Sequence, residues 1–381
     1  MSHEVVISGV GAITHLSDSA GGLHDALTEK KINFTTVDVI NGLRLRNNIS
    51  VGQIPIEKRI EIQNNLPLRS FNSALAAQAA AEALNDAGLQ KNCGDIGIVL
   101  ANNDGNIDVL ESELGLNQRT YDDAYSSHHI LDHVKNKFKI TGLATVIHNT
   151  CASFNAALAI AVEMIGRGVH DTVLVGATDL LASKVLFGFD TLRALSTNSC
   201  RPFCLNRGTI TISEGAAFAV VQRSELASRA YCKILAAVRN NDAAHPTAPL
   251  HASVRNCHLL ALESAGITEN DIDVIFAHGT ATKANDETEA KIFQELYPKT
   301  SIVATKSVLG HTMATCGGVN TVAICKSFER ETIPGNLYYG DDLEFDLNIS
   351  SQQKYIGRNA IIQSNSFGFG GNNAIAIFKG I

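Results

Sequence analysis

The chain contains 381 residues, of which 45% are hydrophobic, so it can bury a large core in one big domain or two ordinary ones. Its net charge of −7 argues against general nucleic-acid affinity, and its eight scattered cysteines argue against a disulfide scaffold or a zinc ribbon. No signal segment begins the chain and no window reaches the roughly 18 apolar residues of a membrane span, so we expect a cytoplasmic protein.

The predicted elements alternate between helices and strands, and their order repeats once. A helix that ends at a glycine, followed by a loop and a buried strand, occupies residues 83–101 and recurs at residues 261–277. Each copy is later closed by a strand in which small and larger apolar residues alternate, at residues 214–221 and 371–378. This repetition predicts a duplicated protein.

Helices rich in small residues lie between these segments. They cover residues 151–165 and about 313–328, where Ala, Gly and Ser would allow backbones to approach closely. Apolar runs such as residues 172–176 fit interior strands of mostly parallel sheets that are covered by helices on both faces. We therefore predict an α/β fold of two halves sharing one core, divided into residues 1–225 and 226–381.

The first half also contains two polar features. Residues 101–107 (ANNDGNI) follow a predicted strand, and they either line a ligand tunnel or face water. His128, His129 and His133 include an i, i+4 pair that could ligate zinc. Without nearby cysteines or a clear acidic ligand set, packing or a surface role is favoured, and we predict no metal site.

Cys151 is a candidate nucleophile. It opens the run at residues 149–161, at a predicted helix start. Backbone N–H groups at such a position lower the pKa of a thiol and stabilise the thiolate, which is the nucleophilic form. The local sequence alone leaves two interpretations, a reactive thiol or an inert buried cysteine. A hydrolase-type nucleophile elbow is not indicated, because it requires glycine where this chain has Asn149 and Ser153.

Two histidines of the second half are candidate partners for this thiol. His278 follows a predicted strand at residues 274–277, and His311 follows a predicted strand and turn at residues 302–310. Strand ends of this kind are where α/β folds place reactive groups. Two histidines at equivalent junctions could meet one thiol across the duplication, which suits acyl transfer and carbon–carbon bond formation.

Four separated motifs together resemble one family. They are Cys151, residues 278–282 (HGTAT) with Asp286 and Glu289, residues 306–311 (KSVLGH), and residues 365–371 (NSFGFGG). In this order they resemble the β-ketoacyl-acyl-carrier-protein synthases, the elongating condensing enzymes of the thiolase superfamily. The similarity extends over nearly the whole chain. It implies a thiolase-like, duplicated five-layer αβαβα fold.

The resemblance implies catalytic roles for four residues. Cys151 would hold the acyl chain as a thioester, and the backbone N–H groups of Cys151 and Phe369 would form the oxyanion hole. His278 and His311 would stabilise the enolate that forms when a malonyl thioester loses carbon dioxide. The carbanion would then attack the Cys151 thioester.

The resemblance also implies supporting residues. Lys306 would form a buried ion pair with Glu289, beside Asp286; the alternative is a solvated lysine and a surface glutamate, which is the commoner fate of both types. The remaining implied contacts are Thr280 and Thr282 to the pantetheine arm of the carrier, and Asp242, His245, Gly368, Phe369 and Gly370 to the gate and turn beside the acyl site.

Two positions narrow the implied activity. Relatives that start on a coenzyme A primer have asparagine at the position of His311, and non-catalytic chain-length factors lack the cysteine at position 151. We therefore expect a decarboxylative Claisen condensing enzyme that elongates carrier-bound chains in fatty-acid or, by preference, polyketide or specialised metabolism. The alternative is a catalytically weak or inactive partner subunit of a ketosynthase heterodimer.

The implied partners follow from this activity. They are an acyl carrier protein and either a second copy of the chain or a related subunit, with substrates held on phosphopantetheine and with no metal or organic cofactor of the protein's own. A stretch that is often basic in relatives is acidic here, at residues 121–123 (YDD). The candidate carrier contacts are Arg193, Lys58, Arg59 and Lys135.

Two stretches depart from the family pattern. Residues 201–209 (RPFCLNRGT) lack two aspartates that are usual there, which puts the bracing of this loop in doubt. Residues 101–107 are polar where an apolar, Gly-rich tunnel is usual. We therefore expect a polyketide-like or hydroxylated chain, since packing methylenes against amides leaves the amides without hydrogen-bond partners.

Overall fold

The computed structural model describes residues 4–40, 43–89, 93–115, 123–337 and 342–381. The strands are β1 (Val5–Thr14), β2 (Thr35–Ile40), β3 (Leu43–Gly52), β4 (Gly97–Ala101), β5 (Ala144–Ile147), β6 (Thr172–Asp179), β7 (Ile212–Ser213), β8 (Gly215–Arg223), β9 (Cys232–Asn241), β10 (Val274–Phe276), β11 (Ser301–Val303), β12 (Thr332–Ile333), β13 (Lys354–Tyr355), β14 (Ile361–Gly368) and β15 (Asn372–Gly380). The α-helices are α1 (Ala20–Thr28), α2 (Ile56–Asn65), α3 (Phe71–Asp86), α4 (Ile107–Gly115), α5 (Ser127–Phe138), α6 (Ser153–Gly166), α7 (Ser183–Thr191), α8 (His251–Ala265), α9 (Lys283–Leu296), α10 (Lys306–Leu309) and α11 (Cys316–Arg330).

Ten strands form one mixed sheet, in the order β11-β10-β14-β15-β9-β1-β8-β6-β4-β5. The three strands at each end are parallel to one another, whereas the strands between them pair antiparallel. The expected predominance of parallel pairing therefore holds only for the outer strands. One reason is the three-residue turn Phe369–Gly371 between β14 and β15, because so short a link can join only antiparallel neighbours.

Helices divide this sheet into layers. In the middle, α6 contacts β4 and β6 of the first half and β9 and β15 of the second, while α11 contacts β1, β8 and β14. On the outside, α3 packs on β1, β8 and β6, and α8 packs on β9 and β15. The predicted five-layer αβαβα order is confirmed. It buries both faces of the central strands, as their continuous apolar runs require.

The two halves of the sheet share a short hydrogen-bonded seam. β1 and β9 pair at Val6 with Lys233 and at Ile7 with Cys232. A single apolar cluster extends from these strands through α6 and α11 into β10 and β14. Packing of the middle helices, more than strand pairing, therefore holds the halves together.

The middle helices approach closely at two glycines. A Cβ atom added to Gly317 would lie 3.2 Å from the backbone nitrogen of Asn155, and one added to Gly318 would lie 2.8 Å from the ring of Phe154. Both α-helices start later than predicted, because the short 3-10 turns Thr150–Ala152 and Met313–Thr315 precede them. Among the described residues, no helix has the length and apolar character needed to cross a bilayer.

Candidate active site

Cys151 lies in the 3-10 turn between β5 and α6. The hydroxyl of Ser153 braces this turn by donating to the carbonyl of Thr150 at 2.7 Å. The thiol is buried, and burial raises its pKa above the usual range, with Lys306 as the main opposing influence. The expected lowering of this pKa is therefore wrong, because desolvation outweighs the lowering by Lys306 and by a backbone hydrogen bond. The resting thiol holds its proton.

His278 follows β10 and His311 follows α10, and the two imidazole rings face each other. Their ring centroids are 5.5 Å apart and their planes are nearly perpendicular, at 87°. Both side chains are buried, and burial followed by the Lys306 ammonium lowers the pKa of each ring well below its usual value. Both imidazoles are therefore neutral at physiological pH.

Lys306 and Glu289 are both buried, which excludes the solvated alternative. Among the ion pairs of the described residues there is none between the Lys306 ammonium and the Glu289 carboxylate. Lys306 Nζ donates to the carbonyl of His278 at 2.5 Å and lies 3.5 Å from its Nδ1. The Glu289 carboxylate accepts the backbone N–H groups of His278 at 2.9 Å and Gly279 at 2.7 Å. The predicted ion pair is therefore wrong: the two side chains hold opposite sides of the His278 backbone.

Asp286 is buried behind the same loop. Its carboxylate accepts the N–H of Phe203 at 2.7 Å and that of Ala281 at 3.2 Å, and it lies 3.8 Å from Arg207 Nε. Burial raises the pKa of Asp286 to about 7. Asp286 thus ties the His278 loop to the stretch at residues 201–209.

That stretch is braced although it lacks the usual aspartates. Arg201 pairs with Asp342 at 2.5 Å, and Arg207 forms an ion pair with Glu344. Both carboxylates come from a later segment of the chain. The doubt about bracing is resolved by these partners, which the local sequence of the loop cannot show.

Cys151, His278 and His311 line one cavity of about 60 Å³. This geometry agrees with the expectation from the sequence that one sulfur and two imidazoles share a pocket. Thr280 and Thr282 also reach the cavity, with their hydroxyl oxygens 2.9 Å apart. The other lining residues are Phe189, Ile210, Thr247, Ala248, Pro249, Asn285, Phe367, Gly368, Phe369 and Gly371.

The turn at Phe369–Gly371 lies beside the thiol. A Cβ atom at Gly368 would lie 3.0 Å from the Cys151 nitrogen, so only glycine lets the two backbones come this close. Gly370 has a φ of +77°, which also favours glycine. Phe369 is 39% exposed and packs on Phe189, with ring centroids 5.7 Å apart. The aromatic pair covers the mouth of the cavity.

Asp242 and His245 are not among the described residues that line the cavity. The Asp242 N–H donates to the carbonyl of Gly371 at 3.0 Å, and its carboxylate accepts the N–H of Leu250 at 2.9 Å. His245 Nδ1 accepts two backbone N–H groups within residues 247–249. These two residues shape the loop, and residues 247–249 are the part of it that reaches the cavity.

The candidate carrier contacts differ in availability. Lys58 already pairs with two acidic side chains, at 2.7 and 2.9 Å. Arg59 forms an ion pair with the buried Glu214. Arg193 is exposed, and Lys135 lies in the last turn of α5. Of these residues, Arg193 is the most open to a partner.

Most of the polar stretch is buried, with Asn103 and Asp104 half-buried, and its amides have hydrogen-bond partners. The Asn102 amide donates to Thr178 O at 2.5 Å and to Asp179 at 3.0 Å, and Asn106 accepts from the hydroxyl of Ser70 at 2.7 Å. None of residues 101–107 lines the described cavity. The interpretation that these residues simply face water is wrong for the buried Asn102 and Asn106, and the polar-tunnel interpretation gains no support from the cavity. Of the acidic stretch at residues 121–123, which was compared with a basic stretch in relatives, residues 121–122 lie outside the described residues.

Sequence reasoning missed several lining residues. Phe367 and Asn285 lie within or beside the recognised motifs and could have been included on that basis. Phe189, Ile210 and residues 247–249 have no local signal, because tertiary packing brings them in from α7 and two loops. Across the described ranges, no group of three or more His, Cys, Asp and Glu side chains is arranged to hold a metal ion.

Comparisons with known proteins agree on one kind of protein. Two family models match, "Beta-ketoacyl synthase, N-terminal domain" at residues 2–227 and "Beta-ketoacyl synthase, C-terminal domain" at residues 231–339. Nodulation protein E of Rhizobium meliloti is 28% identical over 403 residues, covering 100% of both chains. The 3-oxoacyl-[acyl-carrier-protein] synthase 2 of Staphylococcus aureus is 30% identical over 246 residues, covering 60% of this chain and 61% of its own.

Solved structures give the same result. "The ishigamide ketosynthase/chain length factor" has a TM-score of 0.87 at 26% identity and covers 100% of both chains. A β-ketoacyl synthase from Burkholderia phymatum STM815 has a TM-score of 0.88 at 24% identity, also over 100% of both chains, and it supports the fold alone.

Proposed function

Since the chain belongs to the β-ketoacyl synthase family of condensing acyltransferases, we propose that it joins an acyl chain held on Cys151 to a malonyl unit delivered by an acyl carrier protein. The observation that carries this proposal is the shared cavity of Cys151, His278 and His311. A thiol facing two neutral imidazoles supplies one nucleophile and two hydrogen-bond donors.

In the first half-reaction, the Cys151 sulfur attacks the thioester carbonyl of the acyl carrier. A carbon–sulfur bond to Cys151 forms, the bond to the carrier sulfur breaks, and the carrier thiol leaves with the proton of Cys151. The backbone N–H groups of Cys151 and Phe369 stabilise the tetrahedral oxyanion. The contact of Gly368 with the Cys151 backbone supports this role, because it keeps the two segments adjacent.

In the second half-reaction, malonyl thioester loses carbon dioxide and leaves an enolate. His311 Nδ1 accepts the N–H of Met313 at 3.0 Å, so the ring proton is on Nε2. His278 Nδ1 faces the Lys306 ammonium, which places its proton on Nε2 too. Two Nε2–H groups can then donate to the enolate oxygen, and the carbanion attacks the Cys151 thioester and expels the thiolate.

The mouth of the cavity fits a thioester arm. Thr280 and Thr282 would offer hydroxyls to phosphopantetheine, and Phe369 with the loop of Asp242 and His245 would gate access. We also propose the exposed Arg193 and the half-buried Lys135 as the carrier contacts. Lys58 and Arg59 are weaker choices because ion pairs already engage them. The proposal needs no metal or organic cofactor of the protein's own.

The pathway is proposed as specialised metabolism, with elongation as the step. His311 and the similarity to a ketosynthase/chain length factor structure support it. The active unit would be a homodimer or a heterodimer with a related subunit. Because that neighbour is a ketosynthase/chain length factor, a partner-subunit role is the second candidate.

Trapping the acyl enzyme separates the two roles. The protein is incubated with short and medium acyl chains on a carrier protein, and its intact mass and the modified peptide are measured. We expect an adduct on Cys151 that is lost in Cys151→Ala and kept in Cys257→Ala, which removes a buried cysteine on α8. No adduct with any acyl chain would favour the scaffold role.

A further inference from the structure

A second thiol lies beside His311. Cys316 is the first residue of α11 and is 2% exposed, and its Sγ lies 3.2 Å from His311 Nδ1. We propose that Cys316 is a positioning residue that acts through His311, because its S–H donates to Nδ1 and holds the ring with Nε2–H directed into the cavity. The consequence for catalysis rests on the proposed function.

The direction of this hydrogen bond follows from the other donor at the same atom. The backbone N–H of Met313 can only donate, and it lies 3.0 Å from His311 Nδ1. Nδ1 is therefore an unprotonated acceptor, so in a hydrogen bond between this nitrogen and the Cys316 thiol the S–H is the donor. Two donors from opposite ends of one helical turn then share the same ring nitrogen.

The hydroxyl of Thr312 fixes the orientation of the thiol. Thr312 Oγ1 donates to Cys316 Sγ at 3.7 Å, so the sulfur accepts on one side and its proton is free to point toward His311. Burial raises the pKa of Cys316, which keeps the thiol protonated and able to donate. A neutral Cys316 also adds no negative charge that would raise the pKa of Cys151 further.

The alternative is that Cys316 only fills space at the start of α11. Packing and donation make different demands on the side chain. Serine is smaller than cysteine but keeps a donor, whereas alanine removes the donor and leaves a void of similar size. Cys257→Ala is the matched control, because Cys257 is equally buried but lies on α8 and has no hydrogen bond to His311.

The first measurement needs no substrate. Proteins labelled with ¹⁵N-histidine give ring-nitrogen resonances, and His311→Ala identifies the His311 pair among the 13 histidines. We expect the Nδ1 resonance of His311 to move downfield in Cys316→Ala, because a hydrogen bond to that nitrogen is lost. It should stay near its wild-type position in Cys316→Ser and Cys257→Ala. An unchanged resonance in Cys316→Ala would overturn the proposal.

The second measurement is condensation with malonyl-coenzyme A after acyl loading. We expect Cys316→Ala to lower the condensation rate roughly two- to tenfold, the range for one hydrogen bond, with acyl loading unchanged. Cys316→Ser should recover most of that loss. Equal losses in the alanine and serine variants would show a packing role and refute the donation. If the wild-type protein does not condense at all, the proposed function fails, whereas the resonance of His311 still decides the role of Cys316.

Discussion

Replacing Glu289 with glutamine tests how the backbone of His278 is held. One carboxylate oxygen accepts the N–H of His278 at 2.9 Å, and the other accepts the N–H of Gly279 at 2.7 Å and the Asn285 amide at 2.9 Å. Glutamine keeps one acceptor oxygen and presents an NH₂ group in place of the other. At least one donor must therefore face another donor in this buried site.

The size of the effect follows from these contacts. A hydrogen bond to a charged acceptor contributes about 1.5–3 kcal/mol, and a buried donor left without an acceptor costs about 1–3 kcal/mol. These two free energies partly describe the same loss and are not added. Burial also raises the pKa of Glu289, which makes the charged acceptor less favourable. We expect Glu289→Gln to lower the free energy of unfolding by about 2–3 kcal/mol, measured by chemical denaturation. Malonyl decarboxylation should fall at least roughly tenfold, because His278 moves with its backbone.

Glu295→Gln is the matched control on the same helix. Glu295 is exposed and pairs with Arg255, so its replacement should change the free energy of unfolding by less than about 1 kcal/mol. If Glu289→Gln and Glu295→Gln lowered the free energy of unfolding by the same small amount, the Glu289 carboxylate would not be holding the His278 loop. That result would refute the reasoning.

Three other outcomes test the site and its surroundings. His311→Ala should keep acyl loading, seen by intact mass, but lose condensation; loss of loading equal to that of Cys151→Ala would contradict the division of roles. Burial, followed by Asp104, raises the pKa of Asp179 from 3.8 to about 7, so the stability that its proton contributes is complete below about pH 4 and is lost as the pH rises to about 7. Asp179→Asn should lose stability at every pH, because its NH₂ group faces the N–H of Asn103 or Ala314, but its Tm should rise relative to that of wild type between about pH 4 and pH 8. A Tm difference independent of pH would count against the shift. Arg193→Glu should slow loading from an acyl carrier but not from acyl-coenzyme A, while Lys58→Glu should change it less; equal effects would remove Arg193 from the docking surface.

The reactive groups could be predicted because each belongs to a short motif next to a strand end. Cys151 and His278 follow strands, whereas His311 follows the short helix α10 after β11, and the internal duplication indicated that these three positions would meet. The layer order was predictable for the same reason, since helix–glycine–strand units recur with buried strands. Motif and period are local properties, and they are visible in one sequence.

The parts that could not be predicted depend on distant packing. Phe189 and Ile210 reach the cavity from segments whose local pattern marks only a helix and a loop. The prediction of a Lys306–Glu289 ion pair was wrong, because sequence spacing cannot show that the backbone of His278 lies between the two side chains. The burial of Asn102 and Asn106 was not predictable because their hydrogen-bond partners come from β6 and from the start of α3.

The contact between the two middle helices has a consequence for engineering. Cys151 immediately precedes α6 and His311 lies just before α11, and these helices touch where Gly317 and Gly318 meet Asn155 and Phe154. A Cβ atom at Gly317 would clash with Asn155 Oδ1, and one at Gly318 would lie 2.8 Å from the Phe154 ring, so a larger residue at either position would push these side chains or the helices apart. Variant libraries on the cavity wall would tune substrate fit without disturbing this contact, whereas enlarging residue 317 or 318 would alter the distance between the sulfur and the imidazole.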